Sequence, residues 1–175
     1  VYLSRLLNCS PDSPELKNFV SNSDSLRQLY LDVFKTMKPW DPAPREFEFA
    51  HGTFEVIISA AAYAQLKRHR MASLIAYPYA SHLGVTIPPV LRNTRGEEIM
   101  LNAARKTREM VQKIRDEFPS AETYAYLSCH RRRVIINMNV RELIHLSRLR
   151  EDEHAQWDIR ELSSEMISQA RTHLP

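Results

Sequence analysis

Hydrophobic positions along the chain repeat with two different periods, which together predict a mixture of helices and strands. A spacing of three and four residues predicts a helix whose apolar face runs from Leu26 to Met37, with Asp24 or Ser23 as its cap, and a longer helix from Glu97 to Phe118. Alternating apolar positions predict a β-rich run from Phe47 to Ile58 and a short strand from Val134 to Met138. Because helical and extended segments do not alternate strictly, the sequence predicts an α+β fold rather than a doubly wound sheet.

Turn and capping residues refine this pattern. The apolar set changes phase at Gly52, which predicts a bulge or a sharp bend in the strand there. Small residues after Ser59 predict a helix that runs into a basic cluster. Asn139 with Glu142 three residues later has the pattern of a capping box, and Asp152 is a candidate cap for one more helix. The leucines predicted to face inward after the first of these caps are Leu143, Leu146 and Leu149.

Composition and charge are those of an ordinary globular protein. Of the 175 residues, 43% are hydrophobic and 26% are charged, and the net charge is +3. This length fits one domain over residues 1–175, although the chain begins with Val1 and the sequence leaves open whether it is one part of a longer protein. No apolar run approaches the roughly 20 residues of a membrane helix, and no secretion leader is visible. We therefore expect a cytoplasmic protein without a membrane partner.

Cysteines and glycines argue against several kinds of site. Cys9 and Cys129 form no CxxC pair, so we expect two reduced cysteines and no metal centre. We interpret Cys129 as structural rather than nucleophilic, and the sequence assigns no catalytic residue. The 3 glycines form no phosphate-binding loop, so a nucleotide bound here depends on side-chain cations for its phosphates.

Three runs of residues are candidates for chemistry. The run Arg68-His69-Arg70 provides donors that suit a pyrophosphate, although a basic helix end also suits the helix dipole. Arg141 and His145 lie four residues apart and share a helical face, which is either a polar wall of a site or a solvated surface. The run from His130 to Arg133 is of a kind that binds RNA or DNA, so a polyanion-binding module is an alternative function. We expect no nucleic acid, because acidic residues nearly balance the charge elsewhere.

Three blocks then occur in a distinctive order. The first is Phe47-Glu48, and the second is Gln65 followed by Arg68-His69-Arg70-Met71-Ala72-Ser73. The third is Asn139-Val140-Arg141, then Leu149-Arg150 and His154-Ala155-Gln156-Trp157. In sequence and order these blocks resemble the flavin-dependent thymidylate synthase family. The resemblance covers residues 45 to 75 and 125 to 165.

The resemblance implies a single α+β domain with a central, mostly antiparallel sheet and flanking helices. It implies an enzyme that reductively methylates dUMP to dTMP, with FAD as cofactor and NADPH and methylenetetrahydrofolate as co-substrates. It also implies a homotetramer of this chain with FAD at the subunit interfaces. The implied cofactor-binding residues are Glu48, Arg68, His69, Arg70, Asn139, Arg141 and His145. The implied substrate-binding residues are Gln65, Ser73, Arg150 and His154.

The chain departs from the family pattern after Ser73. In place of the family's Asn, Glu, second Ser and Arg, it has Ile75, Ala76, Pro78 and Ala80. In the family this stretch lies along the uridylate and the Arg contacts its phosphate, whereas Ile, Ala and Pro side chains have no donor. A further family Arg is replaced by Thr123, for which residues 131 to 133 are candidate substitutes. These departures leave open a catalytically degenerate copy that binds FAD or only completes an oligomer.

Overall fold

The computed structural model of the chain describes residues 3–4, 8–38 and 40–173, without the side chains of Ser23 and His173. The chain divides into two compact units, residues 1–47 and 48–175. The expectation of one domain over residues 1–175 stays a prediction. Over the described part of the chain, no helix has both the length and the apolar character that crossing a membrane requires.

The first unit contains the helices α1 (Pro14–Ser21) and α2 (Ser23–Thr36). Helix α2 confirms the helix that the apolar spacing predicts. The predicted cap at Asp24 or Ser23 is wrong, because the helix begins after Asn22, whose side-chain oxygen accepts two backbone N–H groups. The ring of Phe47 packs beside the rings of Tyr30 and Phe34, with centroids 5.8 Å and 5.6 Å away. These aromatic contacts join the end of the first unit to its second helix.

The second unit combines strands with helices. The strands within its described residues are β1 (His51–Ser59), β2 (Ser73–Ala76) and β3 (Arg131–Asn139). The α-helices are α3 (Ala60–Leu66), α4 (Arg95–Glu117), α5 (Val140–Arg150) and α6 (Trp157–His173). Short 3-10 helices span Ser81–Leu83, Pro89–Leu91 and Glu122–Ala125, and another, Arg45–Phe49, crosses the division between the units. This composition confirms the predicted α+β class.

The sheet has the order β1-β3-β2, and both strand pairs are antiparallel, as predicted. The pairing of β1 with β3 runs without interruption from His51 opposite Asn139 to Ser59 opposite Arg131. The predicted bulge at Gly52 is therefore wrong. The glycine serves packing instead, because a Cβ atom there would lie 3.1 Å from Cε2 of the Phe54 ring. The β-rich run also begins later than predicted, since the residues just before His51 form a 3-10 turn.

One face of the sheet packs against α3, α5 and α6 and forms the core of the second unit. Ile57 and Ile75 lie on the other face, and their side chains are 47% and 62% exposed. Burying an apolar face against helices is the main stabilising contribution to such a layer. The buried core residues are Ile58, Ala62, Leu66, Val134, Ile136, Met138, Leu143, Leu146, Ile159, Met166 and Ala170.

Helices α5 and α6 depart in two details from the sequence pattern. Leu143 and Leu146 are buried as predicted, but Leu149 is 48% exposed, so that prediction is wrong. Each step of three residues falls about 60° short of a full helical turn, and two such steps carry Leu149 away from the core. The predicted cap at Asp152 is also wrong. Its carboxylate accepts the backbone N–H of His154 in a turn, and α6 begins only at Trp157.

Candidate functional site

The turn after α3 carries the Arg-His-Arg run, and it buries only the central residue. Arg68 and Arg70 are exposed, whereas His69 is 5% exposed. The backbone N–H of His69 donates to the carbonyl of Leu66 at 3.0 Å, and the N–H of Ala72 donates to the carbonyl of His69 at 3.1 Å. These bonds hold a tight turn that directs the imidazole inward and leaves both guanidinium groups facing solvent.

Both ring nitrogens of His69 have partners on α5. Nδ1 lies 2.9 Å from Oε1 of Glu142, and Nε of Arg150 donates to Nε2 at 3.1 Å. A nitrogen that accepts from a guanidinium carries no proton, so the proton of the neutral ring resides on Nδ1 and is donated to Glu142. The arrangement assigns His69 a single tautomer.

The network continues through two amide side chains. Nη1 of Arg150 donates to Oε1 of Gln65 at 3.3 Å, and Nε2 of Gln65 donates to Oε1 of Gln156 at 3.1 Å. It joins α3, the turn after it, the whole length of α5 and the residue before α6. The structure thus brings together three predicted site residues, Gln65, His69 and Arg150.

Sequence reasoning did not select Glu142 or Gln156 as site residues. The sequence marks Glu142 only by its place in the capping pattern, and Gln156 only as part of the block that ends at Trp157. The capping pattern could have indicated Glu142, because it places this carboxylate in the first turn of α5, where it can reach side chains that pack against that end of the helix.

Burial lowers the pKa of His69, because it disfavours the charged imidazolium. The Glu142 carboxylate opposes this shift, while the nearby positive charge of Arg150 and the ring of His145 lower the pKa further. The two histidine rings lie 5.9 Å apart, edge to face, and His145 is exposed. The balance favours a neutral His69 at neutral pH.

A second group of predicted cofactor residues meets at the N-terminal end of α5. Nη1 of Arg141 donates to Oε1 of Glu48 at 2.6 Å, and both side chains are about one-third exposed, at 31% and 29%. The backbone N–H of Val140 donates to the carbonyl of Ala50 at 2.8 Å, which fixes the helix end beside this segment. Oδ1 of Asn139 accepts the N–H of Glu142 at 2.8 Å, so the predicted cap is confirmed.

Two predicted substrate-binding residues lie outside both groups. Ser73 opens β2 opposite Asn137 and is exposed. His154 lies in the turn before α6, where its side chain is 86% exposed beside Glu153. Neither has a contact with the His69 network among the hydrogen bonds of the described residues. Their assignment to a substrate stays a prediction.

The segment that departs from the family pattern is part of the sheet. Residues Ser73–Ala76 form β2, and the N–H of Tyr77 continues the pairing by donating to the carbonyl of Arg133 at 2.9 Å. Ile75 projects from the uncovered face, and no residue from 75 to 80 presents a cationic side chain. An anion bound near this segment needs a cation from elsewhere.

The basic run before and within β3 does not form one patch. Nε of Arg131 donates to the hydroxyl of Thr86 at 2.8 Å, and Arg133 pairs with Glu55. Arg132 lies opposite Ile58 in the sheet and projects from the helix-covered face. Strand alternation therefore places Arg132 on the opposite face from Arg131 and Arg133.

A groove of about 580 Å³ lies between β1 and α6. Its apolar lining includes Phe54, Val56, Leu162 and Met166. None of the predicted site residues lines it, so this groove is not the site that the sequence indicates.

Comparison with known proteins decides the family. A family model described as thymidylate synthase complementing protein matches residues 18–175. The chain belongs to this family. A flavin-dependent thymidylate synthase from Geobacter sulfurreducens is 32% identical over 174 residues, which cover 94% of this chain and 72% of that protein. The resemblance to the flavin-dependent thymidylate synthases is confirmed.

Other similar proteins are much longer than this member of the thymidylate synthase complementing protein family. A UPF0159 protein from Thermoplasma acidophilum is 27% identical over 133 residues, covering 75% of this chain and 27% of that protein. A UPF0159 protein from Chlamydia muridarum is 27% identical over 127 residues, covering 73% of this chain and 24% of that protein. The chain therefore spans about a quarter of the length of these two relatives.

Proposed function

We propose that this domain binds FAD and serves in the reductive methylation of dUMP to dTMP, with methylenetetrahydrofolate and NADPH as co-substrates. The observation that carries the proposal is the gathering of predicted cofactor residues around one helix, α5, in a chain of this family. The similarity to the flavin-dependent thymidylate synthase of Geobacter sulfurreducens supports the same reaction. We further propose a cytoplasmic homotetramer with FAD at the subunit interfaces.

The side chains around α5 fit an anionic dinucleotide. Arg68 and Arg70 present exposed guanidinium groups on either side of the buried His69, and Arg141 and His145 lie one helical turn apart. Guanidinium groups bind phosphate oxygens in a bidentate way, which suits a pyrophosphate in a protein without a glycine-rich loop. FAD, when bound, supplies the electron transfer of the proposed reaction.

In this proposal each side chain has a distinct task. Arg68 and Arg70 neutralise the pyrophosphate, and Arg141 meets the cofactor with its guanidinium group oriented by Glu48. His69 holds the turn rather than donating to the cofactor, because both its nitrogens are engaged by Glu142 and Arg150. Asn139 fixes the start of α5.

Gln65 and Arg150 are proposed to contact the uridylate. Their mutual hydrogen bond orients both side chains before substrate arrives, which reduces the entropy lost on binding. Nη2 of Arg150 takes no hydrogen bond among the described residues and remains available to a substrate oxygen. Ser73 and His154 are proposed as peripheral contacts.

The visible absorbance spectrum tests the proposal. The purified chain is mixed with FAD, desalted and measured before and after dUMP is added. We expect a retained flavin band that shifts with dUMP, and turnover when NADPH and methylenetetrahydrofolate are supplied. Loss of the band on desalting would contradict FAD binding.

A double variant locates the cofactor. Arg68→Ala with Arg141→Ala removes two of the proposed phosphate-binding cations, so we expect flavin retention to be abolished. Arg105→Ala with Lys113→Ala removes the same charge from exposed positions on α4 and should leave retention unchanged. Equal flavin content in the two double variants would contradict the assignment of Arg68 and Arg141 to FAD binding.

A second candidate function is a degenerate copy that binds FAD without acting on dUMP. The absence of cationic side chains from residue 75 to residue 80 favours it. In that case the flavin band persists but ignores dUMP. Restoring the family pattern with Ile75→Asn, Ala76→Glu, Pro78→Ser and Ala80→Arg should then strengthen dUMP binding in calorimetry, and no gain would mean that the segment follows another path.

The arrangement of the arginines in β3 disfavours a polyanion-binding module, because Arg132 projects from the opposite face to Arg131 and Arg133, and Glu55 neutralises Arg133. Such a module needs positive charge spread over one surface, and its affinity falls steeply with salt. If the purified protein retained no flavin but bound single-stranded RNA in low salt, polyanion binding would become the preferred function over FAD binding.

A further inference from the structure

Arg132 contacts two aromatic rings at the end of the helix-covered face of the sheet. Its Cζ lies 4.8 Å from the ring centroid of Tyr63 on α3 and 4.5 Å from that of Tyr79 in the segment after β2. Its Nε donates to the carbonyl of Tyr77 at 2.8 Å. Contacts with two rings and a hydrogen bond at Nε restrict the orientation of the guanidinium group.

The outer edge of this guanidinium group remains open. Nη1 and Nη2 of Arg132 take no hydrogen bond, and no carboxylate pairs with them, among the residues that the structure describes. The neighbouring Arg133 differs, because Glu55 neutralises it. An oriented, half-buried guanidinium group with two available nitrogens is suited to a phosphate, which accepts such a pair in a bidentate way.

The surroundings of Arg132 are aromatic and positive. The ring of Tyr79 packs against that of Tyr126 in a tilted arrangement, with centroids 5.1 Å apart, and Tyr126 meets His130 edge-on, also at 5.1 Å. Arg108 donates to the carbonyl of Ser81 at 3.1 Å. Burial, and to a lesser extent the charge of Arg108, lowers the pKa of His130, so this neighbour is neutral at neutral pH. His130 therefore adds no positive charge to this cluster, whereas Arg108 does.

We propose that Arg132 binds the phosphate of a nucleoside monophosphate, with Tyr63 and Tyr79 holding its guanidinium group in place. The tyrosines and the carbonyl that fix Arg132 come partly from the segment where the family's phosphate-binding Arg is replaced by Ala80. Arg132 thus supplies, from the sheet, the cation that this segment lacks. The choice of dUMP as the nucleotide rests on the proposed function, whereas the phosphate site itself does not.

Calorimetry with three probes tests the site in the intact chain. The probes are dUMP, inorganic phosphate and deoxyuridine. We expect dUMP and phosphate to compete with each other and deoxyuridine to bind much more weakly. Arg132→Gln should weaken both phosphate ligands on the order of tenfold to a hundredfold, the effect of one charge-assisted contact. Arg132→Lys should recover only part of this loss, because the planar fork is missing.

Arg133→Gln is the matched control, because it removes a neighbouring positive charge that projects from the opposite face. Equal weakening in the two Gln variants would overturn the proposal in favour of general electrostatic attraction. Unchanged affinity for dUMP and phosphate in Arg132→Gln would overturn it, as would no binding of either ligand to the unaltered chain.

Tyr79→Leu tests the positioning of Arg132 without removing the charge. We expect weaker phosphate binding in Tyr79→Leu and little change in Tyr79→Phe, because phenylalanine keeps the aromatic face. If Arg132→Gln strongly lowers the melting temperature, the two Tyr79 variants test the site instead. Equal phosphate affinities of Tyr79→Leu and Tyr79→Phe would then count against the proposal.

The proposed function and the phosphate site can fail separately. Phosphate binding that depends on Arg132, in a chain that retains no flavin, would refute the proposed function but not the phosphate site. Retained flavin with dUMP binding that ignores Arg132 would refute only this site.

Discussion

Nε2 of His69 accepts a hydrogen bond from Nε of Arg150 at 3.1 Å. An imidazolium would place two donors against each other at this point, so protonation of His69 and its bond to Arg150 exclude one another. On the opposite side, the Glu142 carboxylate accepts the remaining ring proton. The turn that carries Arg68 and Arg70 is therefore anchored by a neutral histidine.

We expect the stability of the protein to fall as the pH drops below about 6.5, the ordinary pKa of histidine. Burial lowers the pKa of His69 and of His130, so the folded state binds fewer protons than the unfolded state in this range, and acid favours unfolding. Urea unfolding at about pH 7.5 and about pH 5.5 measures the difference. His69→Gln should reduce it, while His154→Gln, at an exposed position, should not. An unchanged difference in His69→Gln would contradict a lowered pKa of His69 in the folded state.

We expect Glu142→Ala to destabilise the protein by about 1–3 kcal/mol, because it leaves the Nδ1 proton of a buried ring without an acceptor. Glu142→Gln keeps an acceptor oxygen and should cost less. Urea unfolding measures both. Glu153→Ala serves as the control, since that side chain is 85% exposed. Equal losses in the Ala and Gln variants of Glu142 would indicate that the charge, rather than the hydrogen bond, holds His69.

We expect Leu146→Ala to cost about 2–5 kcal/mol, because the side chain is fully buried in the core of the second unit. Leu149→Ala on the same helix removes a half-exposed side chain and should cost much less. Thermal unfolding of the two variants compares them directly. Similar melting temperatures would mean that α5 is rotated about its axis relative to this structure.

We expect Asn139→Ala to destabilise the protein by about 0.5–2 kcal/mol, because the start of α5 loses its cap. Asn139→Asp keeps an oxygen that accepts the same N–H and should restore most of the stability. Thermal unfolding measures the cap, and the flavin band of the same samples measures the cofactor. Flavin loss in Asn139→Asp without a change in melting temperature would assign Asn139 a direct cofactor contact.

Elements governed by local spacing could be predicted from the sequence. The helices α2 and α4 follow from their apolar stripes, and the start of α5 follows from a side chain that bonds to its own first turn. Gly52 could not be predicted correctly, because the reason for the glycine is the aromatic ring that lies over it. A bulge and a glycine required by a ring packed over it give the same phase change in the apolar pattern of the sequence.

In the candidate site, too, local motifs could be predicted from the sequence, whereas contacts between residues distant in sequence could not. The resemblance selects Gln65, His69 and Arg150, and the structure brings them together. It does not indicate that His69 faces inward, because the partner that binds Nδ1 lies 73 residues away in sequence. The aromatic contacts of Arg132 have the same origin, since the two tyrosines come from separate segments that meet only in the folded sheet.

The strand order β1-β3-β2 affects how the chain folds on the ribosome. The central strand is the last of the three in sequence, so both edge strands must wait for residues 131–139 before either gains a partner. Pairings between distant segments form slowly, because a long loop must close before they contribute. During synthesis, therefore, the Arg-His-Arg turn exists before the sheet and α5 that order it, and the network around His69 forms only after residues 131–156 are made.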